Sequence, residues 1–257
     1  MSAYILPHGL AQEEDRLVRM ARMLDPVMQM RLKARGLAPG WRCLEVAAGI
    51  GSIGTWLAGE VGPSGHVVVS DIDTRFIDRL AGPNLSVRRI DLTRDDPGTG
   101  FDLVCGRAFL HHLPSRHDVL GRLALAVKPG GVLLVEEPDF HPVLATENRA
   151  LRGFWEGFLA WAADRDIDYF VGRRLGGWMA DLGLQAVEVR GETIRFEGGS
   201  DTATYWRQTF EELADPLRAS GRIARADWDE AMRLFDTPGQ WMWQCCFLTA
   251  SGVKPAS

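Results

Sequence analysis

The stretch from Leu44 to Ala58, LEVAAGIGSIGTWLA, constrains the fold more than any other part of the chain. A short apolar run with one acid is followed by Gly49, Gly51 and Gly54 and then by a helix-like segment. This order predicts a strand, a tight glycine turn and a helix N-terminus. Glycine lets the backbone approach a ligand closely, and the free amides of a first helical turn attract an anionic group. The turn alone predicts a nucleotide-like ligand without saying which one.

Downstream of the turn, apolar runs typical of strands alternate with helical segments. Strands are predicted at 41–46, 67–70, 85–90, 101–105 and 132–136, and helices at 53–58, 74–80 and 115–127. Near-continuous apolar strands separated by helices are typical of a parallel sheet that is covered on both faces. The fold class is therefore α/β, with a doubly wound sheet.

The two ends of the chain differ from this alternating core. Residues 10–35 carry a helical apolar stripe that Asp25 and Pro26 are expected to interrupt. Seven of the nine tryptophans lie beyond residue 140. This part of the chain carries predicted helices at 147–163, 174–182 and 200–217, and predicted strands at 184–196, broken near Gly191, and at 242–250. Asp227 and Glu230 have the spacing of a capping pair for a further helix.

No repeat or long linker divides the sequence, so we expect one domain over residues 1–257. Its parts would be an N-terminal helical cap (1–37), a cofactor-binding core (38–140) and a substrate-side region (141–257) with a helical lid insertion near 198–240.

Composition excludes several kinds of partner. A formal net charge of −5 provides no basic surface for DNA or RNA, so we expect no nucleic acid partner. No signal-like segment opens the sequence and no apolar run approaches a membrane span, so we expect a cytoplasmic protein without a membrane partner. The four cysteines lack metal-ligand spacing, which favours buried free thiols and no metal.

The residues that end the predicted strands suggest the ligand, because ligands of open α/β sheets lie at the carboxyl ends of the strands. Asp71, twenty positions after Gly51, is placed to accept hydrogen bonds from both hydroxyls of a ribose. Asp91 could accept from an adenine amino group while Ile72 and Leu92 enclose the ring. The implied ligand is an adenosine with a charged tail.

Glu45 argues against a dinucleotide. It lies inside the first strand just before the turn, where a diphosphate would disfavour a buried acid but an ammonium or sulfonium group would compensate it. Two further segments extend the pattern, Leu110-His111-His112-Leu113-Pro114 and Val127-Lys128-Pro129-Gly130-Gly131.

With these motifs in order, the chain resembles the class I S-adenosylmethionine-dependent methyltransferases, most strongly over 38–140. The resemblance implies a seven-stranded Rossmann-like sheet with an antiparallel last strand, and S-adenosyl-L-methionine as cofactor. It also implies that residues 47–51 hold the methionine portion, with Glu45 near its amino group and at least the backbone of Arg107 near the tail. Ala47 stands where the family usually has a glycine, and the cofactor set is Glu45, Ala47, Gly49, Gly51, Asp71, Ile72, Asp91, Leu92 and Arg107.

The resemblance implies methyl transfer, in which the enzyme aligns the acceptor and excludes water and a general base is optional. The candidate bases are histidines and acids near the strand ends, chiefly His111, His112 and His141, and also His8, Glu136, Glu137 and Asp139. Each histidine could instead only pack its loop. The acid cluster could bind magnesium, although no repeated acidic spacing supports it.

The aromatic-rich second half favours a bulky hydrophobic or aromatic small-molecule acceptor, such as a secondary metabolite, methylated at oxygen or alternatively at carbon or nitrogen. The resemblance implies that the acceptor is bounded by residues 4–9, 147–170 and 200–240. Arg173 and Arg174 could pair with an acceptor carboxylate or could instead form a solvated helix start. An enzyme of this fold that binds the cofactor but catalyses cyclisation or decarboxylation is the alternative. A homodimer is compatible with the sequence.

Overall fold

The computed structural model describes residues 11–256 and contains nine strands in that part of the chain. They are β1 (Arg42–Val46), β2 (His66–Asp71), β3 (Leu85–Arg89), β4 (Phe101–Arg107), β5 (Val127–Asp139), β6 (Gln185–Glu192), β7 (Arg195–Glu197), β8 (Trp241–Trp243) and β9 (Cys246–Val253). Seven of them form the main sheet in the order β3-β2-β1-β4-β5-β9-β6. The pairs are parallel except that β9 runs antiparallel to β5 and β6. The predicted seven-stranded sheet with an antiparallel last strand is confirmed.

Helices cover both faces of this sheet. They are α1 (Ala11–Ala34), α2 (Ser52–Val61), α3 (Arg116–Ala126), α4 (Arg149–Ala163), α5 (Leu175–Asp181), α6 (Asp201–Glu212), α7 (Ala214–Ser220) and α8 (Arg225–Asp236). Apolar side chains of α1 and α2 pack with β1 and β2 in one core, and those of α3 and α5 pack with β4 and β5 in another. None of the helices in residues 11–256 is long and apolar enough to cross a membrane.

Helix α1 is continuous, so the predicted interruption at Asp25 and Pro26 is wrong. Met28 and Leu32, beyond the proline, are each only 1% exposed and join the core against β1 and β2. Asp25 is fixed by an ion pair with Arg107, 2.7 Å between Oδ1 and Nη2. Packing on both sides of Pro26 thus outweighs its local preference to end a helix.

The helix predicted at 74–80 is also wrong, because only a short 3-10 turn, Asp78–Leu80, forms there. The Asp73 carboxylate accepts a hydrogen bond from the backbone N–H of Arg75, and this local bond competes with a helical start. Gly82 and Pro83 follow at once, so the chain cannot extend the turn into a helix.

Two predicted strands are each divided between two sheets. The 184–196 segment gives β6 and β7, and the 242–250 segment gives β8 and β9, where β7 and β8 pair as a separate ribbon. The break predicted near Gly191 falls two residues after it, at Thr193 and Ile194, between the end of β6 and the start of β7, and Gly191 itself lies within β6. A Cβ there would come within 2.3 Å of Leu248 on β9, so the glycine permits close strand packing.

The helices after β5 bury an aromatic core of their own, in which rings of α4, α6 and α8 pack mainly edge to face. Helix α8 begins at Arg225 with Ala224 as N-cap, so Asp227 and Glu230 do not form the predicted capping pair. Glu230 instead accepts hydrogen bonds from Arg233 and from Asn148 at the start of α4. The four cysteines are buried free thiols, as predicted.

Candidate cofactor and acceptor site

A cavity of about 660 Å³ lies at the carboxyl ends of β1, β2 and β4, bordered by α1 and α6. One part of its wall comes from the β1 turn and the ends of β2 and β3, and the other from aromatic side chains. We call the first part the cofactor half and the second the acceptor half. This is where ligands of open α/β sheets are expected.

The turn after β1 has the backbone that its glycines predict. Gly49 and Gly51 have φ values of 57° and 70°, and Ala47 has a φ of 50°. These values lie in the left-handed region, which residues other than glycine rarely adopt. Ala47 and Gly49 line the cavity, but Gly51 does not. A Cβ on Gly51 would lie 2.4 Å from Leu80, so this glycine lets the turn pack beneath the site.

Glu45 and Arg107 place a buried carboxyl group and a guanidinium under the turn. The Glu45 carboxylate accepts a hydrogen bond from the Gly54 backbone N–H at 2.8 Å. Burial raises the pKa of Glu45 to about 8, even though Arg107 and the Gly54 bond favour the charged form. Arg107 is held by Asp25, yet its Nη1 is buried and has no hydrogen-bond partner among residues 11–256. Both side chains line the cavity, so the cofactor half offers a carboxyl group to a cation and a guanidinium nitrogen to an anion.

Asp71 and Asp91 lie further along the cofactor half. Asp71 accepts hydrogen bonds from the N–H groups of Gly49 at 2.9 Å and Asp73 at 3.0 Å, while burial raises its pKa. Asp91 accepts from the backbone and the hydroxyl of Thr93, and these bonds lower its pKa. The structure brings both acids to the cavity wall, together with Ile72 and Leu92.

The LHHL segment is shaped by one buried acid, Glu137. Its carboxylate accepts hydrogen bonds from the backbone N–H groups of Phe109, Leu110 and His111 and lies 2.7 Å from Nδ1 of the His111 ring. Burial raises the pKa of Glu137 to about 7. His111 and His112 both line the cavity, with ring centroids 3.9 Å apart.

The acceptor half is walled mainly by rings. Phe140 lies 4.5 Å from Tyr169 and 5.7 Å from Trp206 between ring centroids, and Tyr205 and Phe247 complete the wall. Of the predicted acceptor regions, Tyr169 and α6 reach the cavity, whereas α4 and α8 contribute none of its lining. Trp155, Trp161 and Trp228 are buried away from the cavity, and Trp206 is the one tryptophan that lines it.

Several predicted residues are not brought to the cavity. His141 is exposed and does not line the cavity. Glu136 and Asp139 are buried but do not line it either. Asp139 instead pairs with Arg173, and Arg174 pairs with Asp168. His8 and residues 4–9 lie outside the described residues. No group of three or more metal-ligating side chains occurs within the described chain.

Sequence reasoning missed the cavity residues of α1, which include the buried Arg16 and the half-buried Met20. Arg16 lies 3.7 Å from Glu212 of α6, measured from Nε to Oε2, and the Tyr205 hydroxyl donates to the Met20 sulfur at 3.8 Å. The available signal in the sequence was the position of Arg16 next to Leu17 in the apolar stripe of the helix. A charged residue on the buried face of a helix is expected to have a polar partner there.

A family model described as a methyltransferase domain matches residues 14–189, more than half of the chain. The ubiquinone/menaquinone biosynthesis C-methyltransferase UbiE of Ectopseudomonas mendocina is 31% identical over 115 residues, which are 41% of this chain and 45% of that relative. The matched part thus spans less than half the length of this curated relative.

Solved structures share the fold. A cyclopropane-fatty-acyl-phospholipid synthase-like protein from Lactobacillus casei has a TM-score of 0.58 at 18% identity, covering 97% of this chain and 95% of that one. A phosphoethanolamine N-methyltransferase 2 of Haemonchus contortus, in complex with S-adenosylhomocysteine, has a TM-score of 0.54 at 16% identity, covering 98% of this chain and 54% of that one. At these identities the likeness shows the fold alone.

Proposed function

Because the chain belongs to the methyltransferase-domain family and uses S-adenosyl-L-methionine, we propose that it methylates a bulky hydrophobic or aromatic small molecule, most simply a secondary metabolite, at an oxygen atom. The observation that carries this proposal is the two-part cavity. Three acids at successive strand ends line one half, and aromatic rings line the other. A methyl donor in the first half would face an acceptor in the second.

The charges of the cofactor half fit the groups of S-adenosylmethionine. The buried Glu45 carboxyl would hold the α-ammonium group, and the unpartnered Nη1 of Arg107 would hold the carboxylate. Asp71 would accept from the ribose hydroxyls and Asp91 from the adenine amino group. An ionised carboxylate has about four acceptor positions, so Asp71 can accept from the ribose in addition to the bonds that it receives from Gly49 and Asp73.

The backbone and apolar residues would complete this binding. Ile72 and Leu92, which line the cavity, would enclose the adenine ring. Ala47 and Gly49 have positive φ values that turn the chain around the methionine portion. Gly51 would not contact the cofactor but would support the turn, because the absence of a side chain lets the turn pack against Leu80.

The bound cofactor would supply an electrophilic methyl group, and the protein's residues would align the acceptor with it. The rings of Phe140, Tyr169 and Trp206 would bury an apolar acceptor, exclude water and face a sulfonium with their electron-rich surfaces. Orientation of two reactants alone supplies a large part of such rate enhancements. His111 and His112 lie in the wall as candidate bases, whereas His141 is too exposed to take part from its observed position.

The proposal is tested by incubating the protein with methyl-labelled cofactor and a panel of two- and three-ring phenols. We expect labelled methyl ethers and one S-adenosylhomocysteine per product molecule. Converted acceptor without S-adenosylhomocysteine would instead establish the cyclisation or decarboxylation alternative. Absence of any conversion across the panel would count against an aromatic hydroxyl acceptor.

A matched pair of variants tests the acceptor half. Phe247 lines the cavity, whereas Leu248, its neighbour in β9, packs on Gly172 and Gly191 away from it. Phe247→Ala is expected to raise KM for the acceptor at an unchanged Kd for S-adenosylhomocysteine, and Leu248→Ala is expected to leave KM unchanged. Equal effects of the two variants on KM would contradict the assignment.

A further inference from the structure

On the basis of the proposed methyl transfer, we propose that His111 accepts the acceptor's proton at Nε2 and that Glu137 is the residue that positions it. The acceptor would then carry a dissociable proton on the atom that is methylated, as a phenolic or enolic hydroxyl does.

The Glu137 carboxylate is held in one position. It is fully buried, and it accepts hydrogen bonds from the backbone N–H groups of Phe109 at 2.8 Å, Leu110 at 2.7 Å and His111 at 3.3 Å. Three donors on one carboxylate favour its ionised form, which opposes the effect of burial on its pKa. With its pKa at about 7, the acid is mainly ionised at slightly alkaline pH, where it is an anion held in a fixed position behind the His111 ring.

The same carboxylate sets the tautomer of His111. An ionised carboxylate only accepts hydrogen bonds, so the Nδ1 atom, 2.7 Å from Oε2 of Glu137, carries the proton and donates it. Nε2 is then the basic nitrogen. It has no hydrogen-bond partner within the described residues, and the ring lines the cavity 5.2 Å from the Tyr169 ring.

The surrounding charges favour His111 over its neighbour as the base. Burial and then the charge of Arg116 lower the pKa of His111 to about 3, while Asp168 opposes this shift, so the ring is neutral at physiological pH and its Nε2 lone pair is available. The Glu137 anion at Nδ1 would stabilise the imidazolium that forms during the reaction. His112 is buried too, and the nearby His111 and Arg16 lower its pKa further, which disfavours protonation there.

The proposed step is balanced within the active site. The acceptor hydroxyl gives its proton to Nε2 of His111, and its oxygen forms the new bond to the methyl carbon. The electron pair of the broken sulfur–methyl bond remains on sulfur, which leaves as S-adenosylhomocysteine. His111 then returns the proton to solvent when the products depart, so no other co-reactant is needed.

The first test needs neither cofactor nor acceptor. Nitrogen-15 NMR of the histidine side chains is expected to show His111 of the free protein as the neutral Nδ1–H tautomer at pH 7.5. Glu137→Gln should shift the ring toward Nε2–H, because an amide can also donate to Nδ1. Glu136→Gln is the matched control, since Glu136 is a buried neighbour that bonds Thr249 instead. A wild-type ring in the Nε2–H form, or an unchanged tautomer in Glu137→Gln, would overturn the proposal.

The second test is kinetic. His111→Gln is expected to lower kcat about 100-fold or more, with Kd for S-adenosylhomocysteine within twofold of wild type. An acceptor whose hydroxyl has a lower pKa loses its proton more readily, so it should restore part of the lost kcat. His111→Gln keeps the hydrogen bonds from the backbone N–H groups to the Glu137 carboxylate. It therefore tests the base role of His111 even if Glu137→Gln does not fold. A kcat within threefold of wild type would overturn the base role. Wild-type protein that forms no S-adenosylhomocysteine would instead contradict the proposed function, and the NMR result would still report on the dyad.

Discussion

Binding of the cofactor should depend on pH through Glu45. Its carboxyl is buried, and its pKa is raised to about 8 in the protein without ligand, so it is mostly protonated at neutral pH. An ammonium group favours the ionised form, and binding must therefore release a proton below pH 8. With that pKa, about one molecule in a hundred is ionised at pH 6 and about half at pH 8.

If only the ionised form binds well, Kd for S-adenosylhomocysteine should fall about 50-fold between pH 6 and pH 8, which is roughly 2.3 kcal/mol. Titration calorimetry in buffers of different ionisation enthalpy would measure both Kd and the released proton, expected at about 0.9 per site at pH 7. Glu45→Gln should bind more weakly at pH 8 and lose the dependence. A wild-type Kd that is constant over this range, without proton release, would refute the placement of the ammonium group at Glu45.

Three further outcomes follow from the turn and the strand ends. Ala47→Gly should stabilise the protein by about 0.5–1 kcal/mol in urea unfolding, because Ala47 has a φ of 50°; a loss of stability would show that the turn is not strained there. Gly54→Ala should destabilise the protein by about 1–3 kcal/mol, since the new Cβ would lie 2.6 Å from the Glu45 side chain. Gly59→Ala is the control and should not destabilise it, because the space around Gly59 is open. Similar unfolding midpoints for the two variants would contradict the close packing at Gly54. Asp71→Ala should weaken S-adenosylhomocysteine binding by about 1–3 kcal/mol in calorimetry, and an unchanged Kd would remove Asp71 from the ribose site.

The cofactor half could be predicted from the sequence because its residues follow from local rules. Each of Glu45, Asp71 and Asp91 lies at or near the end of an apolar strand, and parallel strands present those ends at one edge of the sheet. The positive φ at Gly49 and Gly51 follows from the turn. The same rules do not predict that Gly51 faces the protein interior and not the cavity, because its orientation depends on the close approach of Leu80 to its Cα.

The acceptor half could not be predicted in the same way, because it depends on contacts between distant parts of the chain. The aromatic helices α4 and α6 have similar apolar stripes, yet only α6 reaches the cavity, where it meets α1. The pairing of Arg19 with Asp201 joins residues 182 positions apart. Likewise, the division of two apolar runs between the main sheet and the β7–β8 ribbon is decided by pairing partners, which periodicity does not specify.

The most direct test of the account is a crystal structure of the protein with S-adenosylhomocysteine. We predict the ribose at Asp71, the amino group of the tail at Glu45, and the sulfur facing the half of the cavity walled by Phe140, Tyr169 and Trp206. A ligand bound elsewhere, or a sulfur atom that faces away from these rings, would contradict the assignment of the two halves.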